Sequence, residues 1–144
     1  MPEVVAIASD HAGVVLKETL KAQLLALGFL PEDMGAHSKD SVDYPDYAEK
    51  LCKCILSKKA ARGVLICGSG IGMSIAANRH KGIRAALCRS VQDAELSRQH
   101  NNANVLCLGE RSTSAEDAKD ILKRFLSTNF EAGRHEARVN KMDK

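Results

Sequence analysis

The chain has no tryptophan and only three phenylalanines and two tyrosines in 144 residues, so it offers no aromatic platform for stacking the bases of a single strand. It also lacks a dominant charge. Its 21 basic and 18 acidic residues leave a formal +3, spread along the chain, which is not the footprint of a nucleic-acid binder. No apolar run approaches the length that crosses a bilayer, and no basic-then-apolar leader opens the sequence. A soluble, cytoplasmic protein is therefore expected, with neither membrane nor nucleic acid among its partners. Internal repeats and low-complexity linkers are missing as well, and 144 residues suit one domain over 1–144.

Cysteines at metal or redox spacing are equally missing. Cys52, Cys54, Cys67, Cys88 and Cys107 are odd in number, which fits free thiols in a reducing compartment. Cys52 and Cys54 stand two apart in a helix-like stretch and point in different directions. There is no C-x-x-C, and no His/Asp/Cys cluster at ligand spacing, so no metal or other cofactor is expected. Inert packing is the ordinary role of a free cysteine.

What is present is a strict alternation. Strand-like runs cover 3–9, 63–67, 82–88 and 104–109, with a short extended piece near 29–34. Helical patterns cover 13–28, ending at Gly28, and a stretch opened by Pro45 that runs to about Ser57, with Asp43 or Tyr44 at its cap. Further helices are expected over 73–79, 90–100, 115–127 and 131–142. Ser114, with Asp117 three residues on, caps the 115–127 helix. Strands and helices in rotation imply parallel β-α-β units, hence an α/β, doubly wound, Rossmann-like sheet of five parallel strands with a C-terminal helix. Ligands of such sheets sit beyond the carboxyl ends of the strands, here at Asp10–His11, Cys67–Gly72, Cys88–Ser90 and Gly109–Arg111.

Residues 66–74, ICGSGIGMS, carry the strongest signal. Gly68, Gly70 and Gly72 follow G-x-G-x-G, which is not the dinucleotide fingerprint. A tyrosine-phosphatase loop is excluded because Met73 stands where an arginine would be required. With Ser69, Ile71 and Ser74, and with a helix N-terminus behind it, the loop can aim successive N–H groups at one point. The anion there is either a phosphate or a charge that develops during reaction. Cys67 precedes the loop, where the field of those donors favours a thiolate.

Three further places stand out. Asp10 ends the first strand and can cap the next helix, whereas His11 beside it has no such structural excuse. His100–Asn101 ends a helix, where histidine also favours the dipole. Arg134 and Arg138 are four apart on the last helix and share a face, either solvated or clamping a phosphate.

Placed in order, the segments IASDHAG, DYPDYA, ICGSGIGMSIAANR, GIRAALC, LSRQHNNANVLCLGER and FEAGRHEARV resemble the type B ribose-5-phosphate isomerases, a family that includes the galactose-6-phosphate isomerase subunits. Some members place a glutamate base where Met73 stands; with Cys67 and Met73 the chain resembles the cysteine-base branch. The resemblance implies proton transfer between C1 and C2 of a sugar phosphate through an enediolate, with Cys67 as the shuttle. It implies that Asp10, Ser69 and His100 open the furanose ring, His100 as proton donor. Tyr44 and Asn101 would contact the sugar, and His11, Arg134 and Arg138 the phosphate, assisted by Arg111. It further implies a homodimer or homotetramer with sites built from two subunits, and no metal. A six-carbon sugar phosphate, or a non-catalytic sensor on the same fold, is the alternative. A sensor would not need a thiol, Asp10 and His100 together.

Overall fold

Apolar residues occupy nearly every position of three segments, and a strand that is apolar on both sides has to be covered on both faces. The computed structural model describes residues 1–144 and provides that cover. The order is β1 (Val4–Ser9), α1 (Val14–Ala26), β2 (Leu30–Asp33), α2 (Tyr44–Leu56), β3 (Arg62–Cys67), α3 (Ile71–Ala77), β4 (Ala85–Leu87), α4 (Val91–Asn101), β5 (Val105–Gly109), α5 (Ala115–Ser127) and α6 (Arg134–Met142). The five strands form one sheet in the order β2-β1-β3-β5-β4, and every pair is parallel. Pro31, which has no N–H to donate, lies in the edge strand β2.

Side chains alternate across the sheet, and the two faces differ in bulk. Val5, Ile7, Val64, Ile66, Leu106 and Leu108 pack into a core with α1, α4 and α5, built around Leu20, Leu24, Ile121, Leu122 and Phe125. Ala6, Ala8, Leu65, Cys67, Val105 and Cys107 face α2 and α3, against Leu51, Cys52, Ile55, Met73 and Ala77. Cys67 therefore ends β3 on the side where α3 begins. No helix is long and apolar enough to cross a membrane.

Element limits differ from the sequence pattern where side chains or glycines replace regular hydrogen bonds. A single 3-10 turn, His11–Gly13, precedes α1, with the Asp10 side chain accepting the Ala12 N–H at 2.9 Å. β4 is three residues rather than seven. Gly82 has φ +92, the Asn104 side chain takes the Arg84 N–H, and Asn78 bonds both the N–H and the carbonyl of Ala85. α6 begins at Arg134 because Ala132 and Gly133 both have positive φ. α3 begins two residues earlier than the pattern suggests, directly after Gly70.

One buried charge stands in the first layer. The Lys17 side chain on α1 is fully buried, and its Nζ donates to both Asp33 oxygens at 2.7 Å, while Lys21 adds a third bond at 2.9 Å. Burial alone would raise the Asp33 pKa, but the bonds from Lys17, Lys21 and the Gly35 N–H outweigh it and hold the carboxyl at about 2. The lowered value means that Asp33 stabilises the fold above its ordinary pKa of 3.8 and loses that contribution as pH falls toward 2. Asp33→Ala leaves Lys17 buried with no hydrogen-bonded partner, Glu18 at 3.9 Å being its nearest remaining carboxylate. Urea unfolding at neutral pH should show a loss of about 3 kcal/mol, the low end for a broken buried pair because Asp33 keeps some solvent contact. An unchanged midpoint would show that water reaches Lys17 freely.

Candidate active site

The chain leaves β1 into α1 on one face of the sheet and leaves β3 into α3 on the other. Adjacent parallel strands whose connections part in this way open a crevice at their carboxyl ends. A cleft of about 590 Å³ lies there, lined by Asp10, Tyr44, Cys67, Gly68, Ser69, Ile71, Gly72, Ile75, Arg111 and Ser112. A second groove of about 630 Å³ runs along Ser41–Asp43 and the outer face of α2, and neither cysteine nor glycine lines it.

The glycines in the loop serve distinct ends. Gly70 has φ +79, a left-handed conformation that glycine adopts without strain, and this turn brings its N–H to the Cys67 sulfur at 3.1 Å. Gly72 is bare because the Tyr44 ring lies against it: a Cβ would sit 2.6 Å from two ring atoms. Besides Gly70, two of the expected donors are used inside the loop. The Ile71 N–H goes to the Ser69 hydroxyl at 3.2 Å. The Ser74 N–H goes to the Gly70 carbonyl, and its hydroxyl donates to the Ile71 carbonyl at 2.7 Å. The N–H groups of Gly68 and Gly72 make no bond within the chain and remain for a ligand.

Around Cys67, each neighbour is held by the end of a strand or helix. Asp10 is nearly buried after β1, its own N–H donating to the Ile66 carbonyl at 3.1 Å. One Asp10 oxygen caps Ala12, leaving the other for the cleft. His11, the next residue, does not line the cleft; its Nδ1 accepts the Val42 N–H at 3.1 Å, so a neutral ring carries its proton on Nε2. Arg111 is fixed after β5 by its N–H to the Gly68 carbonyl, 3.0 Å, and its guanidinium lies over Gly68. Ile75 and Ser112 line the same cleft; neither has a sequence signal of its own, since each is placed only by the return of the chain.

The remaining expected residues stand elsewhere in the chain. α4 leaves the carboxyl end of β4 and returns to the start of β5, so His100 and Asn101 at its last turn lie at the amino end of the sheet. An 11-residue helix puts them on the order of 15 Å from the end that carries Cys67. Asn101 lines a separate cavity with Asn78, Arg84 and Met142. The Glu131 N–H bonds the Gln99 carbonyl at 3.0 Å and ties the segment before α6 to this end. Arg134 and Arg138 follow it on α6.

The sequence holds no His/Asp/Cys cluster at ligand spacing, but the fold brings together a group of another make-up, His100, Glu131 and His135. The His100 and His135 rings stack with centroids 4.3 Å apart. Glu131 Oε1 lies 3.9 Å from Nε2 of His100 and 3.8 Å from Nε2 of His135. The first two members are separated by 31 positions in sequence, so only the fold brings them together. Partial desolvation, then the charges of His100, Arg134 and Arg138, lower the His135 pKa against the pull of Glu131. His135 is thus biased toward its neutral form at neutral pH.

All five cysteines are free and buried. Burial pushes the thiol of Cys52 up to about 12 and that of Cys88 up to about 11. It raises those of Cys54 and Cys107 as well. Only Cys67 lines the cleft and accepts a backbone N–H.

Comparison with known proteins places this arrangement. The sequence model of the family described as Ribose/Galactose Isomerase matches residues 5–142. A solved ribose 5-phosphate isomerase of Thermotoga maritima is 55% identical and superposes with a TM-score of 0.96, covering 98% of this chain and 97% of its own. A solved ribose 5-phosphate isomerase B of Anaplasma phagocytophilum is 50% identical, with a TM-score of 0.91 over 98% and 97% of the two chains. Ribose-5-phosphate isomerase B of Escherichia coli K12 is 42% identical over 94% of this chain and 91% of the relative.

The contrast among the thiols makes a direct test. Brief alkylation of the native protein near neutral pH, followed by peptide mass mapping, should label Cys67 and leave the other four unmodified, because thiolate fraction and access govern the rate. Equal labelling at Cys54 or Cys88 would show that the cleft confers nothing on Cys67.

Proposed function

The chain belongs to the ribose/galactose isomerase family, and on that basis we propose that it interconverts ribose 5-phosphate and ribulose 5-phosphate with Cys67 as the base. The observation that carries this reading is the Gly70 N–H on the Cys67 sulfur, at the mouth of a cleft that also holds Asp10, Ser69, Tyr44 and Arg111.

The furanose opens first. His100 protonates the ring oxygen, while Asp10 and the Ser69 hydroxyl handle the proton of the anomeric hydroxyl. In the open aldose, the Cys67 thiolate removes the C2 proton. The electron pair forms the C1–C2 double bond and leaves negative charge on O1. Free N–H groups at Gly68 and Gly72 face that charge, and fixed donors aimed at a developing oxyanion are worth several kcal/mol in a dry site. Cys67 returns the proton to C1, the O2 proton passes to O1, and the ketose results with its carbonyl at C2. The same sulfur takes the proton from C2 and gives it to C1, so one group serves as both base and acid in the transfer. Tyr44 and Asn101 hold the sugar. His11 Nε2–H, Arg134 and Arg138 hold the phosphate, with Arg111 assisting. No step requires a metal.

His100, Asn101, Arg134 and Arg138 reach the Cys67 cleft only from a second copy of the chain, because within one copy they lie at the opposite end of the sheet. The active form is at least a homodimer. Ile71 and Ile75, one helical turn apart on α3, support this: both line the cleft and are 45% and 54% exposed in the single chain. A shared site has a quantitative signature. The parent should convert ribose 5-phosphate, while Cys67→Ser and His100→Ala should each be nearly inactive. Randomly reassorted dimers of the two variants should regain about a quarter of parental specific activity, since half the molecules then hold one intact site. A parent active only on allose or galactose 6-phosphate would overturn the substrate, and an inactive mixture would overturn the shared site.

A further inference from the structure

His100, Glu131 and His135 surround a point that no hydrogen bond fills. The two Nε2 atoms lie 3.9 and 3.8 Å from one Glu131 oxygen, beyond hydrogen-bond length, and the candidate ligand atoms of all three residues fall within 4.8 Å of one another. Two imidazoles and one carboxylate with an open fourth position are a donor set for zinc and its neighbours, at metal–ligand distances of about 2.0–2.2 Å. Tetrahedral ligation needs donor separations of roughly 3.4 Å, so the gaps close with small side-chain rotations. The scaffold leaves room for them. Glu131 and His100 are partly exposed, whereas the backbone is pinned by the Glu131 N–H on Gln99 and the His135 N–H on the Ala132 carbonyl. The rings, stacked at 15°, must splay for both nitrogens to converge on one ion. Arg134 and Arg138, on the same helix as His135, oppose a cation and keep its affinity modest.

We propose that His100, Glu131 and His135 form a site for a divalent transition-metal ion, and that its occupation inhibits the isomerase by capturing His100. The metal is an inhibitor and not a cofactor: the chelated enzyme is the fully active one. The binding half stands on the geometry alone, whereas the inhibitory half rests on the ring-opening role given to His100.

Cobalt(II) titrated into chelator-treated protein reads both halves. Absorption should show tetrahedral bands with nitrogen and oxygen ligands and no thiolate charge-transfer band, at one ion per chain, and Cys67→Ser should leave the spectrum unchanged. Loss of a ligand in His135→Ala should weaken binding by about 100-fold or more, above the roughly 10–100-fold cost of a lost outer-shell partner. Glu131→Gln, a change at a partly exposed side chain, should do the same if the histidine variant folds poorly. Cobalt and zinc should inhibit the parent over the concentration range in which cobalt binds, EDTA should restore the rate, and His135→Ala should resist inhibition. A thiolate band, or unaltered binding in both variants, would overturn the site. Stoichiometric binding at the predicted ligands without inhibition would overturn the inhibitory role and count against His100 as the ring-opening acid, leaving the substrate assignment untouched.

Discussion

The hydrogen bond from the Gly70 N–H to the Cys67 sulfur, 3.1 Å long, fixes how β3 passes into α3. To make it, the chain must turn through a left-handed residue within three positions of the strand end, which only glycine does without strain. That turn starts α3 at Ile71, so the first-turn N–H groups of the helix and the thiol lie at the same end of the sheet. Tyr44 then closes over Gly72, and Arg111 over Gly68, each filling space that a side chain on the loop would occupy. The cleft is the volume these residues leave around one sulfur atom.

The unequal faces of the sheet serve the same end. Bulky Val, Ile and Leu side chains anchor α1 and α5, whereas Ala6, Ala8, Cys67 and Cys107 present a shallow surface toward α2 and α3. A cysteine at the end of β3 is therefore ordinary packing for its face, and only the loop beyond it makes it chemically distinct. Cys107 illustrates the contrast: it belongs to the same layer, one strand over, and complete burial raises its pKa. Identical residues differ here by position along the strand, not by type.

Much of this was legible in the sequence because the signals were local. The alternation of apolar runs and helical periods identified the parallel sheet, Ser114 its cap on α5, and the glycine loop its place after a strand. The sheet order 2-1-3-5-4 was not legible, since nothing local distinguishes one parallel neighbour from another. The short β4 escaped detection because Asn78 and Asn104 side chains, distant in sequence, satisfy backbone groups of a run that looks like seven strand residues. The roles of Gly70 and Gly72 looked alike as letters, yet one supplies a left-handed turn and the other makes room for Tyr44. The placement of His100, Arg134 and Arg138 away from Cys67 depends on the direction in which α4 runs, which requires the topology. The His100–Glu131–His135 group needs the contact of α4 with the segment before α6, so linear spacing could not show it.

The central claim is that Cys67 moves the proton. Serine nearly matches cysteine in size but ionises far less readily, so Cys67→Ser separates chemistry from packing. The decisive measurement is exchange of the substrate C2 hydrogen with deuterated water by this variant, followed alongside isomerisation and the binding of an enediolate-mimicking inhibitor. Exchange and isomerisation should fall together by about 100-fold or more, the scale of a lost general base, while the inhibitor still binds. Exchange at the parental rate would contradict the account, because some other group would then be taking the proton and the thiol would be only core filling.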